Sequence, residues 1–141
     1  MTKVLYTATA HVTGGRAAGH GRTSDGLLEV DLRSPVEMGG EGGGGTNPEQ
    51  LFAVGYAACF EGAIGVVGKR LRADVGDVGI DSKVSLITTE ERGFNVAVEL
   101  HVGLPSVEDS ETAIEIVREA HKVCPYSNAI RGNVEVGIRV I

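Results

Sequence analysis

The two cysteines of this 141-residue chain each lie in a distinctive stretch of sequence. Cys59 is in the middle of an apolar segment, and Cys124 directly precedes a proline. A thiol among apolar residues is usually inert, because burial raises its pKa and disfavours the reactive thiolate. A second thiol within reach allows a cycle between a dithiol and a disulfide. The sequence therefore leaves two interpretations open: packing residues or a redox centre.

A redox role for Cys59 would require a fixed cation near its sulfur. Arginine suits this better than lysine, because its guanidinium stays charged when desolvated and presents a planar fork. Arg16 follows two glycines at the end of an expected strand, and Arg131 follows the second cysteine motif. Spacing does not choose between them, and both are also typical of solvated surface residues.

Glu49 falls in the first turn of an expected long helix, where the helix dipole stabilises a carboxylate. It could also orient an arginine. On a straight helix, Glu49 and Cys59 would be about 15 Å apart along the axis and on different faces. Either an arginine spans that gap, the helix is broken, or Glu49 serves the site of a second subunit. We favour the last.

Three other kinds of site fit the sequence less well. The glycine-rich run at 39–45 lacks the Gly-Lys-Ser/Thr ending of a phosphate-binding loop. His121 together with the two cysteines would supply three metal ligands, but without the regular spacing of a zinc site. A hydrolase pair of Ser127 and His121 lacks a Gly-x-Ser-x-Gly elbow. We therefore expect no metal and no bound cofactor.

Charge and hydropathy narrow the partners and the location. The chain has 13 Lys and Arg against 19 Asp and Glu, and this net charge of −6 opposes nucleic acid and anionic membranes. The apolar stretch at 51–67 is interrupted by Glu61 and by glycines, which favours a buried helix over a membrane span. The alternating N-terminus is unlike a signal peptide, so we expect a cytoplasmic protein.

The length of the chain predicts a single domain over residues 1–141, and the order of its elements predicts an α+β fold. The first helix should have Asn47 as its N-cap and Gln50 closing a capping box, and its apolar residues cover every face. Such a helix belongs in the centre of a structure, covered by sheet or by another subunit. The second helix should bury one face, and Cys124 continues the line of residues on that face. The residues at helical spacing are Ala113, Ile114, Val117, Ala120 and His121. The expected elements are strands at 3–12 and 27–32, a helix at 47–71, antiparallel strands at 75–88 and 94–104, a helix from 106 or 109 to 123, and a strand at 133–141.

Three segments resemble the OsmC/Ohr family: Gly14–Arg16, Gly45–Phe60 and Ala120–Asn133. The Cys-Pro-Tyr-Ser-Asn-Ala stretch and the Tyr-Thr-Ala opening are similar to its organic hydroperoxide resistance branch, and the likeness runs essentially end to end. The resemblance implies a two-layer fold with antiparallel sheets and a long buried central helix. It also implies an intertwined homodimer with two active sites at the subunit interface.

By this resemblance the chain would be a thiol-dependent peroxidase that reduces alkyl or fatty-acid hydroperoxides to alcohols. Cys59 matches the peroxidatic cysteine, Cys124 the resolving cysteine, Arg16 the activating arginine and Glu49 its carboxylate partner. A Cys59 sulfenic acid and a Cys59–Cys124 disulfide would be the intermediates, with dihydrolipoamide on a lipoylated protein as the implied external reductant. One departure is Ile130, where the family more often has threonine.

An apolar pocket would favour organic hydroperoxides over hydrogen peroxide, since the organic tail supplies burial energy. Its candidate residues, each individually more typical of a core, are Met38, Phe52, Tyr56, Phe60, Phe94 and Tyr126. Two alternatives remain: an OsmC-type peroxidase with a different substrate preference, and a non-enzymatic redox-sensing or ligand-binding domain. A passive thiol would not need the Arg16 and Glu49 pair, which argues against the second.

Overall fold

The computed structural model describes residues 2–141, which form two compact units. One unit ends at Leu51 and the other runs from Phe52 to Ile141, and each contains a three-stranded sheet. This arrangement confirms the α+β class, whereas the single-domain assignment stays a prediction. The elements are β1 Ala10–Thr13, α1 Gly15–Ala18, β2 His20–Thr23, β3 Glu29–Asp31, a 3₁₀ turn Val36–Met38, α2 Pro48–Arg70, β4 Gly79–Thr88, β5 Phe94–Gly103, α3 Ser110–Val123, α4 Pro125–Ile130 and β6 Val136–Val140.

The first unit is an antiparallel sheet in the order β1-β2-β3, with α1 connecting β1 to β2. Gly14, with φ of 75°, supplies the left-handed residue from which α1 begins. The expected strand at 3–12 is wrong in its first part, because β1 pairs with β2 only from Ala10 to Thr13. An alternating pattern becomes a strand only where a partner is available. The short strand β2 was not expected.

α2 begins where cap chemistry predicts it. The Asn47 side-chain oxygen accepts a hydrogen bond from the Gln50 backbone N–H at 2.9 Å, and Pro48 occupies the first helical position. The Gln50 side chain does not complete a capping box, however. Its oxygen accepts from the Thr46 hydroxyl at 2.6 Å instead. The helix start is therefore fixed from both sides of Asn47.

Within the chain, α2 buries one face. Tyr56, Phe60 and Ile64 are fully buried at helical spacing, whereas Val54 is 72% exposed and Val66 43% exposed. Coverage of every face therefore requires a further partner and stays a prediction. By length and composition α2 could cross a membrane, but this is weak evidence because the core helices of soluble proteins pass the same test.

The second unit carries the sheet β4-β5-β6. β4 and β5 pair antiparallel over their full length, as expected. β6 pairs parallel with β5, so this sheet is mixed and the expectation of wholly antiparallel sheets is wrong here. The reason is that α3 and α4 form a crossover connection, which returns the chain to run in the same direction.

α3 starts at an Asp109 N-cap, whose carboxylate accepts from the Thr112 N–H at 3.2 Å. Its buried face contains Ile116 rather than Ile114, which is 46% exposed, so the predicted stripe was partly out of phase. The chain then continues into α4, which was not expected. A proline that ends one helix can equally occupy the first position of the next, as Pro125 does.

We expect Leu100→Ala to destabilise the protein by about 2 to 5 kcal/mol, because Leu100 is fully buried in the core and truncation leaves a cavity. Urea unfolding measures the change. Leu27→Ala is the matched control: Leu27 is largely exposed, so its loss should cost less than about 0.5 kcal/mol. Equal effects of the two substitutions would contradict this core assignment.

Candidate active site

The structure brings the two cysteine sulfurs together. Cys124 Sγ lies 3.6 Å from Cys59 Sγ, and both thiols are free. Cys59 lies on α2, while Cys124 ends α3 and caps the start of α4. A disulfide has an S–S distance of about 2.05 Å, so the pair is in van der Waals contact but unbonded. A modest movement would join them.

Burial controls the acidity of Cys59. Its pKa is raised, chiefly by desolvation and further by the neighbouring Cys124 sulfur, while a hydrogen bond with the backbone of Tyr126 opposes the shift. Because the thiolate is the nucleophilic form, these surroundings by themselves leave Cys59 less reactive than an exposed cysteine at neutral pH. A catalytic Cys59 would need additional stabilisation of its negative charge.

Four of the six candidate pocket residues form an aromatic cluster beside the cysteines. Phe52 packs edge-on against Tyr56 at a centroid distance of 5.9 Å, and Tyr126 lies 5.7 Å from Phe52 and 5.9 Å from Tyr56. Phe60 packs on Tyr56 at 6.4 Å. Tyr56 and Phe60 are fully buried and are core residues, whereas Phe52 and Tyr126 are partly exposed. The latter two could therefore line a substrate path.

α2 approaches this cluster closely at Gly55. A methyl group at this position would lie 3.1 Å from the Tyr126 hydroxyl, closer than such groups normally pack. Glycine therefore lets the Tyr126 ring lie against the helix backbone.

The other two pocket candidates are Phe94 and Met38. Phe94 begins β5 and is 74% exposed, so it is not part of the cluster in the same unit. Met38 belongs to the first unit, where its sulfur accepts from Arg16 Nη1 at 3.8 Å.

Arg16 and Glu49 form a two-pronged ion pair in the first unit. Arg16 Nη2 donates to Glu49 Oε1 at 3.0 Å, and Nη1 donates to Oε2 at 3.3 Å. The two residues meet because Leu32 at the end of β3 bridges to Thr46, just before α2, and also bonds Gly19, just after α1. Such a fork fixes the guanidinium plane.

The other candidate arginine, Arg131, is engaged in the second unit. It donates to the His121 carbonyl and, at 2.6 Å, to the Asn128 side chain. It therefore tethers the segment after α4 to the last turn of α3.

The sequence missed a buried polar chain near the cysteines. The Ser127 hydroxyl lies 2.7 Å from the Tyr56 hydroxyl and 2.8 Å from His121 Nδ1. Burial lowers the pKa of His121, as does Arg131, while burial raises the pKa of Tyr56. Ser127 and His121 are the two residues considered above as a hydrolase pair, but a fully buried serine is not accessible to a substrate.

Residues 2–141 contain no group of three or more His, Cys, Asp or Glu side chains placed to hold a metal ion. The donors of the cysteine region are two sulfurs and one imidazole, of which the imidazole is bonded to Ser127. Two free thiols in contact are suited to dithiol chemistry.

A dithiol oxidant such as diamide should convert both cysteines to one intramolecular disulfide, because their sulfurs are already in contact. Thiol titration under denaturing conditions should fall from two free thiols to none, with the protein still one chain on a non-reducing gel. Cys124→Ser is the control and should retain a thiol or form intermolecular species. Persistence of both thiols in the unmodified chain would contradict this geometry.

A family model described as "OsmC-like protein" matches residues 39–139. The organic hydroperoxide resistance protein of Xanthomonas axonopodis pv. citri (strain 306) is 50% identical over 135 residues, covering 95% of this chain and 93% of that protein. The crystal structure of an organic hydroperoxide resistance protein from Legionella pneumophila is 53% identical, with a TM-score of 0.91 over 98% of both chains. A homologous structure from Elizabethkingia anophelis is 44% identical, with a TM-score of 0.92 over 99% of this chain and 98% of that one. The chain therefore belongs to the OsmC/Ohr family and to its organic hydroperoxide resistance branch.

Proposed function

We propose that this protein is a thiol-dependent peroxidase that reduces alkyl or fatty-acid hydroperoxides to alcohols. The observation that carries the proposal is the contact of the two free sulfurs, 3.6 Å apart, in a chain of this family. The names of the relatives support an organic hydroperoxide as the substrate.

The first step would be attack of the Cys59 sulfur on the distal oxygen of the hydroperoxide. The O–O bond breaks, the sulfur takes up the hydroxyl as a sulfenic acid, and the remaining alkoxide leaves as the alcohol after protonation. Cys59 loses two electrons and the peroxide gains them. This step needs the thiolate, which burial alone disfavours.

Arg16 would supply the missing positive charge, and Glu49 would hold its guanidinium in place. The paired hydrogen bonds between them support this division of roles, since they fix the fork of the arginine. A guanidinium beside the reacting atoms would stabilise the thiolate and then the negative charge that develops on oxygen as the O–O bond breaks. The assignment of Arg16 to the Cys59 site rests on the motif resemblance.

Cys124 would then attack the sulfenic sulfur of Cys59. The S–S bond forms, the S–O bond breaks, and the hydroxyl leaves as water with the proton of the Cys124 thiol. An external dithiol would reduce this disulfide by exchange and be oxidised in turn. Dihydrolipoamide on a lipoylated protein is the reductant that the family resemblance implies.

The partly exposed rings of Phe52 and Tyr126 support a preference for organic substrates. An alkyl tail packed against aromatic carbon contributes burial energy that hydrogen peroxide cannot supply. An OsmC-type preference is the main alternative, and a redox-sensing domain is the non-enzymatic one. The ratio of turnover with cumene hydroperoxide to turnover with hydrogen peroxide distinguishes the proposed function from an OsmC-type preference. Catalytic turnover with a dithiol distinguishes it from a redox-sensing domain.

A homodimer in the cytoplasm completes the proposal. The exposed apolar residues Val54 and Val66 on α2, with Leu5 near the N-terminus, provide surface that a second subunit would cover. Whether Glu49 acts within its own subunit or across the interface follows from that assembly.

Cys59→Ser should abolish the reduction of cumene hydroperoxide, because serine cannot form the sulfenic acid. Cys124→Ser should still consume one equivalent of peroxide rapidly, but without sustained turnover on dihydrolipoamide. Peroxide consumption and alcohol formation measure both, in single-turnover and steady-state assays. Normal turnover in both variants would rule out the two-cysteine cycle.

Arg16→Ala should shift the pH at which Cys59 becomes reactive upward. Burial raises the pKa of this thiol, so removal of a stabilising cation leaves it protonated to higher pH. Stopped-flow measurements from about pH 5 to about pH 10 follow the rate of sulfenic acid formation. In Arg16→Ala this rate should fall at neutral pH and recover on the alkaline side. Arg118→Ala, at an exposed position on α3, is the matched control and should leave the profile unchanged. An unchanged profile in Arg16→Ala would remove Arg16 from this role.

A further inference from the structure

Ser127 is the one fully buried polar residue in the part of the chain that the structure describes. Its hydroxyl is placed between the Tyr56 hydroxyl on α2 and His121 Nδ1 on α3. Three separate helices, α2, α3 and α4, are thereby joined through a single oxygen atom. A buried hydroxyl without partners is costly, so this arrangement strongly favours one relative position of the helices.

The same oxygen is close in sequence to the resolving cysteine. Ser127 lies in the first turn of α4, and Cys124 is the residue that caps that turn. The Asn128 N–H donates to the Cys124 carbonyl at 3.0 Å, so the cap and the turn move together. Tyr126, which lies between them, also supplies a backbone hydrogen bond to Cys59. Fixing Ser127 therefore fixes the segment that presents Cys124.

His121 is suited to accept a hydrogen bond from Ser127. Its lowered pKa, caused by burial and by Arg131, keeps the imidazole neutral near pH 7, so Nδ1 can be an acceptor. Tyr56 then donates to the Ser127 oxygen, and Ser127 donates to His121. Both hydroxyl hydrogens of this network are then donated to an acceptor, which is the condition for a stable buried network.

We propose that the Tyr56–Ser127–His121 chain positions Cys124 for attack on oxidised Cys59 and so determines how much sulfenic acid is converted to disulfide. The inference rests on the proposed function, which supplies the sulfenic acid. These three residues act through Cys124 and are positioning residues.

Two reactions compete for the Cys59 sulfenic acid. Attack by Cys124 gives the disulfide and water. Attack of the sulfenic acid on a second hydroperoxide gives the sulfinic acid and another alcohol, with loss of two more electrons from the sulfur. The first reaction has a rate set by the approach of two sulfurs within one chain, and the second by hydroperoxide concentration. A Cys124 that is poorly positioned therefore increases the sulfinic product.

Ser127→Ala tests the proposal by the ratio of sulfinic acid to disulfide. The protein is reduced, mixed with increasing cumene hydroperoxide, quenched and measured by mass spectrometry. A displacement of about 1 Å can cost up to 100-fold in rate, so we expect the ratio to rise by about 10-fold or more. Ser85→Ala is the matched control, since Ser85 is exposed on β4, and should leave the ratio unchanged.

His121 provides a readout that general loosening of the fold would not give. His121→Asn retains an acceptor near the position of Nδ1 and should keep the ratio close to that of the unchanged protein. His121→Leu removes the acceptor and should raise it as Ser127→Ala does. If both His121 variants give the same ratio, the hydrogen bond is not what positions Cys124 and the proposal fails.

Tyr56→Phe keeps the ring packed and removes only the hydroxyl, so it provides the test if Ser127→Ala does not fold. Its ratio should rise, and Tyr6→Phe, at an exposed position, is its control. An unchanged ratio in a folded Tyr56→Phe or Ser127→Ala overturns the proposal. Failure of the unchanged protein to form any sulfenic acid or disulfide would instead contradict the proposed function.

Discussion

The contact between Cys59 and Cys124 joins positions 65 residues apart, and it depends on how the helices of the second unit pack. α2 and α3 both bury a face in the core formed with β5, which sets the distance between the middle of one helix and the end of the other. The second sulfur lies at a corner between two helices, where the backbone is extended. Cys124 is itself fully buried in this core, so the packing around the corner sets the distance between the two sulfurs.

The buried environment that holds the two sulfurs together also disfavours the thiolate form of Cys59. Exclusion of water keeps Cys59 protonated, and the neighbouring sulfur adds to the effect. The fixed guanidinium of Arg16 is presented by a different unit, in which a carboxylate restrains it. The thiol pair and the restrained guanidinium are thus built by different stretches of the chain.

Features set by neighbouring residues, such as helix caps, were predictable from the sequence. The pairing of strands and the buried face of α3 were not, because they depend on distant parts of the chain. The start of α2 followed from Asn47 and Pro48, because a helix cap involves only neighbouring residues. The parallel pairing of β6 with β5 depends on where the intervening helices return the chain, which no local pattern specifies. The two cysteines and the Arg16 and Glu49 pair were singled out as candidates, and each pair is in contact. The Ser127 bridge was missed because its partner Tyr56 is 71 positions away.

The close approach at Gly55 makes the position of the Tyr126 ring sensitive to any side chain placed at position 55. Adding a single carbon there would push the Tyr126 ring by a few tenths of an ångström while leaving both sulfurs chemically untouched. The size of the side chain at position 55 therefore controls where the Tyr126 ring lies, and a methyl group is the smallest such change. Variants at this one position would differ in the shape of the aromatic surface while both sulfurs stay unchanged.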